Sequence, residues 1–333
     1  MLAEDAAKLN AMWGETLAAP KKLAYVHKPG ELTLSFSREE KLRRCPREFY
    51  LDEVLNEKKF EPSAHTAFGH AFAAGVQEYC AYYDDFEDKE ALRERALVMA
   101  MASWSHPNLW DTVEKDDKSV ETALLGVDIF IRQAAPEIMR EYRIAEFDGR
   151  KGVELFVYVQ LADGYNYQMH IDLVMQHRES GEYVVFEIKS KNRESIMEDW
   201  KNSDQALGYN VALQSFLKQM RSQLMYRVLY LCYSTTDRSV MLLPFELPVH
   251  VRAEWIVTKL FTVNTLQMYK DYNVWPKNGK SCMRFKKHCP HFNTCDLVRR
   301  AAQPFNEESA YENVGMDAVD YATSLQKISE AFS

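Results

Sequence analysis

The sequence has no run approaching the roughly 18 apolar residues that cross a bilayer, and its start, MLAEDAAKLN, lacks a signal-peptide pattern. Internal repeats, low-complexity tracts and Gly/Ser linkers are also missing. Six cysteines in 333 residues are too few for a disulfide scaffold, so a reducing cytoplasm is the expected compartment. Excess positive charge is lacking too: 41 Lys+Arg stand against 49 Asp+Glu, for a net charge of −8. Taken as a total, that speaks against nucleic acid as a partner. What the chain does have is 47 % hydrophobic residues, enough for one large domain or two modest ones and too many for a disordered chain.

Binding depends on where charge sits rather than on its sum. Residues 304–333 hold six acids and one base, a net −5, which leaves −3 for residues 1–303. The preceding stretch, Lys277 to Arg300, has seven bases and one acid, a net +6, with Phe285 and Phe292 interleaved. Such a segment can follow a phosphate backbone, or it can be a solvated charged surface.

The first thirty residues read as a peripheral helix. From Leu32 to Leu55, LTLSFSREEKLRRCPREFYLDEVL predicts a short extended stretch and then an amphipathic helix. Residues 66–147 carry helical periodicity, with a His-Pro-Asn turn signal near Ser105–Asn108. From Val153 the pattern changes to strands: VELFVYVQL, a turn at Asp163-Gly164, YNYQMHIDLVMQ, a turn over 179–182, and YVVFEIK. A helix at about 204–220, strands MYRVLYLCY and SVMLLPFEL, and a long helix over about 249–272 follow. Strands bracketed by helices predict an α/β or α+β domain centred on 150–247.

Alternation in this meander sorts the side chains. Tyr167, Met169, Ile171, Leu173 and Met175 share a face expected to be buried, which turns Asp172 the other way with His170 and Val174. In the next strand Val184, Phe186 and Ile188 oppose Glu187 and Lys189. Two adjacent strands can therefore present Asp172, Glu187 and Lys189 together. Paired carboxylates repel unless a cation separates them, and oxygen-only ligands favour Mg²⁺ or Mn²⁺ over zinc. A lysine beside the metal can orient or deprotonate water. Acid-x-Lys occurs six times in the chain, and only Glu187–Lys189 closes an apolar strand. A solvated ion pair at a strand end is the plain alternative.

HID at 170–172, FEIKS at 186–190 and QALGYN at 205–210 resemble successive motifs of PD-(D/E)XK nucleases of the RecB type. LSFSREEKLRRCPREFYL at 34–51 is similar to the opening segment of that group, which includes phage exonucleases, the AddB nuclease domain and CRISPR-associated exonucleases. The resemblance spans about residues 31–297. It implies a restriction-endonuclease-like α/β core, a central mixed β-sheet flanked by helices, with a helical N-terminal insertion and a Cys-containing C-terminal segment. On that reading 31–300 is a single nuclease domain: 66–147 is its helical part, 150–247 the catalytic sheet core and 277–297 the basic Cys segment. A peripheral helix over 1–30 and an acidic tail over 301–333 flank it.

The resemblance implies a catalytic set of Asp172, Glu187 and Lys189. Asp172, Glu187 and the carbonyl of Ile188 are the implied metal ligands, and Lys189 positions or activates water. Gln205 and Tyr209, four apart on one helical face, are implied substrate-backbone contacts; read alone, they are a solvated helix start and a core aromatic. The family's Gly-x-x-x-His helix element is altered here: in AFGHAFAAGVQEY the fourth residue after Gly69 is Ala73. His70 or Gln77 can substitute as a ligand, or the site uses fewer side chains.

Cys282, Cys289 and Cys295 lie in CMRFKKHCPHFNTC. In the relatives a cysteine of the opening segment, matched here by Cys45, completes a [4Fe–4S] cluster. The spacing C-x6-C-x5-C departs from their C-x2-C-x5-C. His288 and His291 leave a Zn²⁺ site open, and reduced cysteines without metal are the third alternative; Cys80 and Cys232 read as core residues. The expected function is a Mg²⁺- or Mn²⁺-dependent DNA exonuclease in recombination, repair or phage DNA metabolism. Its expected partners are DNA and, through the acidic tail, a recombination or replication protein. The rival is a non-catalytic nuclease-fold module that binds nucleic acid or protein.

Overall fold

A computed structural model describes residues 32–57, 63–104, 118–190, 203–217, 226–234, 238–247, 249–284 and 287–295. The expectations for residues 1–30, for Ser105–Asn108, for Phe285 and for the tail at 301–333 lie outside the described residues.

The opening segment forms strand β1 (Leu32–Leu34) and helix α1 (Phe36–Arg44), followed by the short helix α2 (Pro46–Phe49) and a π-turn over Tyr50–Val54. The single helix expected here is broken, and Pro46 is the reason. A residue before proline is sterically driven out of the helical region; Cys45 accordingly sits at φ −157° and ψ 104°.

Helices α3 (Ala64–Tyr82), α4 (Lys89–Ala102), α5 (Val120–Ile129) and α6 (Ala135–Glu141) follow, the last two joined by a π-turn at Phe130–Ala134. The helical pattern stops earlier than its periodicity suggests. Tyr142–Ile144 is strand β2, pairing with Met175–His177, and Glu146–Phe147 and Arg150–Lys151 form the small β3–β4 hairpin. The cross-strand partner overrides helical propensity in these residues.

The meander consists of β5 (Val153–Ala162), β6 (Tyr165–His177) and β7 (Tyr183–Lys189); α7 (Asp204–Leu217), β8 (Tyr226–Ser234), β9 (Ser239–Leu247) and α8 (Val249–Asp271) come next. Gly164, at φ +73°, takes the left-handed position of the β5–β6 turn. The mixed sheet runs β1-β6-β7-β8-β9, with β2 and β5 on β6 as well; β1–β6 and β7–β8 are parallel and the other pairs antiparallel. Its predicted core face is realised: Tyr167, Met169, Ile171, Leu173 and Met175 are all buried. α3, α5 and the π-turn after it contribute Phe68, Phe72, Val127 and Phe130 to a core shared with Phe186, Ile188 and Tyr233. The protein is thus a mixed α/β structure, a central mixed sheet flanked by helices, as in restriction-endonuclease-like folds.

The chain gathers into two compact units, one containing residues 60–260 with the strand β1, the other containing 37–59 and the residues from 261 onward. In the second unit Trp275 stacks on Phe49 and Tyr50, and the Arg44 carbonyl accepts hydrogen bonds from Asn278 (2.8 Å) and Ser281 (2.9 Å). The opening segment is thereby tied to the cysteine-bearing residues, which include the short strands β10 (Met283–Arg284) and β11 (Lys287–His288). No helix among the described residues is long and apolar enough to cross a membrane.

Candidate active site

The site originates in a fork between two strands. β6 and β7 pair from Gln176↔Tyr183 as far as Leu173↔Phe186 and then separate. The next residues in that register are Asp172 and Glu187, so the pairing ends where two carboxylates face each other. β7 continues against β8 as far as Lys189↔Cys232. In place of the lost ladder bond, Asp172 Oδ2 accepts the Ile188 backbone N–H at 2.8 Å. The side chain thereby satisfies a donor that the fork would strand.

Glu187 is 1 % exposed. Both α3 and α7 contact β7, and Glu187 is buried along with the strand's apolar residues. One Glu187 oxygen pairs with Lys189; the other, Oε2, is buried with no hydrogen-bond partner. Lys189 Nζ also donates to Gln205 Oε1 at 3.0 Å, and Gln205 Nε2 donates to the Tyr209 hydroxyl at 2.6 Å. All five side chains carrying the catalytic and substrate-contact expectations thus converge. Gln205, in the first turn of the helix Asp204–Leu217, bonds both Lys189 and the buried Tyr209.

The first turn of α7 is held from α8. Trp255 Nε1 donates to the Asp204 carbonyl at 2.9 Å, and the fully buried Lys259 pairs with Asp204 Oδ2 at 3.3 Å. Gly208 permits this approach: a Cβ there would lie 2.9 Å from the Trp255 ring and 3.1 Å from the Met169 sulfur. Gly208 within QALGYN was the sequence signal for that contact.

On α3 it is Gln77 that reaches the acids. Its amide nitrogen donates to the Asp172 carbonyl at 3.2 Å and to Glu154 Oε1 at 2.6 Å. Gly69, two turns earlier, faces the Ser190 hydroxyl just beyond Lys189, whereas His70 is exposed. Glu154 went unnoticed in the sequence because it belongs to no motif.

Burial, followed by the adjacent Glu187 carboxylate, pushes the Asp172 carboxyl well above the usual carboxylate range. Burial likewise raises Glu187 against the pull of Lys189, and raises the Tyr209 hydroxyl, with Glu187 and Asp172 adding to it. Removing a proton here creates charge with too little compensation nearby. Among the described residues, no group of three or more His, Cys, Asp or Glu already converges as a metal cage. The donors nevertheless suit a hard divalent cation: they are oxygens, they lack positive charge, and the partnerless Glu187 Oε2 provides a buried lone pair.

The cysteines behave differently. Cys45, Cys80, Cys282, Cys289 and Cys295 are free thiols. Burial raises the Cys289 thiol, and Cys45 and Cys282 lie close enough to add to that rise. The Cys289 N–H donates to the Cys282 carbonyl at 2.9 Å, and the Cys295 N–H to that of His291 at 2.8 Å. His291, 2 % exposed, is engaged with Asp52 at 2.6 Å, and the His288 ring lies tilted against Phe292, centroids 4.2 Å apart. Cys80 is a buried core thiol, pushed up to about 12 by burial; the side chain of Cys232 lies outside the description.

The sequence profile of the PD-(D/E)XK nuclease superfamily matches residues 33–296 of the chain. No curated protein matches it.

Proposed function

The chain belongs to the PD-(D/E)XK nuclease superfamily, and on that basis we propose that it is a Mg²⁺- or Mn²⁺-dependent deoxyribonuclease acting on DNA ends. The observation that carries this reading is the continuous set Asp172, Glu187, Lys189, Gln205 and Tyr209, in which each polar side chain contacts or electrostatically senses the next.

Asp172 and Glu187, with the Ile188 carbonyl, would hold the cation. Once bound, it supplies Lewis-acid stabilisation of the phosphoryl oxygen and acidifies a water molecule. Lys189 orients that water and offsets negative charge growing on the phosphate, and Gln205 keeps its ammonium from folding wholly onto Glu187. The Tyr209 hydroxyl and the Gln205 amide bind the DNA backbone, fixing the phosphate in line. A carboxylate pair that retains protons without metal should bind metal more tightly as pH rises, releasing protons on binding.

A second reading is a nuclease-fold module that binds DNA without cutting it; Ala73, where the family carries histidine, favours it. The test is cleavage of end-labelled single- and double-stranded DNA with EDTA, Mg²⁺ or Mn²⁺. Metal-dependent loss of label from one end is expected, and Lys189→Ala should slow it by about 10³-fold. DNA retention without cleavage by the wild-type protein would establish the module instead.

For the second unit we propose a [4Fe–4S] cluster on Cys45, Cys282, Cys289 and Cys295, a reading carried by the sequence resemblance alone. Anaerobically purified protein should absorb near roughly 400 nm; colourless, iron-free protein would reject the cluster. The proposed protein partner would use the acidic tail.

A further inference from the structure

Lys259, in the middle of α8, is a cation withdrawn fully from water that the proposed chemistry does not use. Its ammonium lies over the rings of Trp255, at 4.9 Å, and Tyr167, at 5.5 Å, and it pairs with Asp204 Oδ2 at 3.3 Å. Burying a charge this deeply is costly, and a well-packed apolar side chain of similar volume is often as stabilising or more so. Packing alone therefore does not account for a lysine here. Its partner points to what does. Asp204 opens α7, and the next residue, Gln205, accepts from Lys189 Nζ at 3.0 Å and donates to the Tyr209 hydroxyl at 2.6 Å. The first N–H groups of a helix have no intrahelical partners, so a first turn depends on contacts from outside. Three such contacts meet here. Ser203 Oγ accepts the Ala206 N–H at 3.3 Å, Trp255 Nε1 donates to the Asp204 carbonyl at 2.9 Å, and Lys259 takes the Asp204 carboxylate. Trp255 and Lys259 are four apart on α8 and so act from one helical face.

We propose that Lys259 is a positioning residue for phosphodiester cleavage: by holding Asp204 it fixes the first turn of α7, so that Gln205 stays against Lys189. The inference rests on the nuclease reading above and adds to it a residue of α8, outside the recognised motifs. Two lysines are linked through adjacent residues of α7, the buried Lys259 through Asp204 and Lys189 through Gln205. A charged contact in apolar surroundings is tolerated in few geometries, whereas apolar contacts accept several. An apolar residue at 259 would fill the space and leave Asp204 to water, to which its side chain is already partly exposed. α7 would remain packed, but its first turn would lose its pin. Gln205 would then release Lys189 to its other partner, Glu187.

The test is a double-mutant cycle on DNA cleavage, read beside thermal melting in EDTA. Lys259→Met keeps most of the side chain's length and apolar contact and removes its charge. It should leave the melting temperature unchanged or raised, while single-turnover cleavage at saturating DNA slows about tenfold. In a Gln205→Ala background, itself slow, Lys259→Met should have no further effect on cleavage, because its influence passes through Gln205. Asp204→Asn breaks the same pair from its partly exposed side. It should slow cleavage as much as Lys259→Met but lower the melting temperature, since it leaves a buried ammonium short of compensating charge. It also carries the test should Lys259→Met fail to fold. Wild-type cleavage by folded Lys259→Met or folded Asp204→Asn would overturn the positioning role and leave the nuclease reading intact. Equal slowing by Lys259→Met with and without the Gln205 side chain would overturn it as well. A fall in melting temperature in Lys259→Met that accounts for the lost cleavage would reduce Lys259 to a structural residue. Absence of cleavage by the wild-type protein with either metal would overturn the nuclease reading itself, and the positioning role with it.

Discussion

Asp52 and Asp172 are both carboxylates withdrawn from water, and their surroundings shift them in opposite directions. Burial alone would raise Asp52, but hydrogen bonds from Lys41 and His291 outweigh it and hold the group below its ordinary value. Its neighbour Glu53 is equally settled, taking Lys41 at 2.7 Å and Arg38 at 2.9 Å. At the β6–β7 fork, Glu187 pairs with Lys189 through one oxygen, its other oxygen has no partner, and the protonated forms of Asp172 and Glu187 are favoured. Buried acids that serve architecture are neutralised by the protein's own cations. Acids left under-compensated on a rigid sheet store unfavourable electrostatics that an incoming cation relieves.

The sharpest way to break this contrast is to remove one charged partner from each cluster, a lysine from one and a carboxylate from the other, and ask what fails. Lys189→Ala should lower DNA cleavage by about 10³-fold, equivalent to about 4 kcal/mol of transition-state stabilisation, with little change in melting temperature. Asp52→Ala should do the reverse. It strands the buried His291 and part of the Lys41 network and should cost about 3 kcal/mol of stability in denaturant unfolding, while cleavage per folded molecule is unchanged. Equal losses of stability from both would make the fork one more structural ion-pair network.

Gly208→Ala tests a smaller effect, the placement of the open site rather than its charge. The added methyl meets the Trp255 ring and the Met169 sulfur, so α7 must shift and carry Gln205 and Tyr209 with it. A stability cost of about 1–2 kcal/mol and an activity loss of about tenfold are expected. Unaltered kinetics would show that the position of α7 is not critical.

The sequence made much of the fork legible because its signals are local. Alternation sorted β6, the Asp163-Gly164 turn was where φ > 0 is needed, and the motif residues met as their spacing implies. Glu154 was out of reach for a physical reason. Counting back from that turn with Ala162 opposite Tyr165 places Leu155 against Asp172. An irregularity between Gln160 and Ala162 shifts the register by one and brings Glu154 there instead. The Asp52–His291 pair was equally hidden, since it joins residues 239 apart and depends on tertiary packing alone. The break at Cys45–Pro46 could have been read from proline geometry, but the strong amphipathic pattern masked it.

The smallest predicted effect separates the two clusters by sign. In metal-free protein the raised Asp172 and Glu187 carboxyls retain protons that the unfolded chain releases near its ordinary carboxylate range. Their contribution to stability is therefore full below the unfolded values and declines as pH rises through the folded ones. Asp52, with its value lowered, contributes above the unfolded value and loses that contribution as pH falls through the folded one. Asp172→Asn still accepts the Ile188 N–H through its amide oxygen, and it removes both the repulsion with Glu187 and the titration. In EDTA the variant should match the wild type near pH 4 and exceed it by about 1 kcal/mol at pH 8. Saturating Mn²⁺ should reverse the ranking, because only the wild type gains the linkage term, about 2.7 kcal/mol at a hundredfold excess over Kd. Denaturant melts of both proteins across that pH range, with and without Mn²⁺, measure the crossing directly. Parallel curves without a crossing would mean that the charge at the fork is already balanced within the protein, and the contrast with Asp52 would collapse.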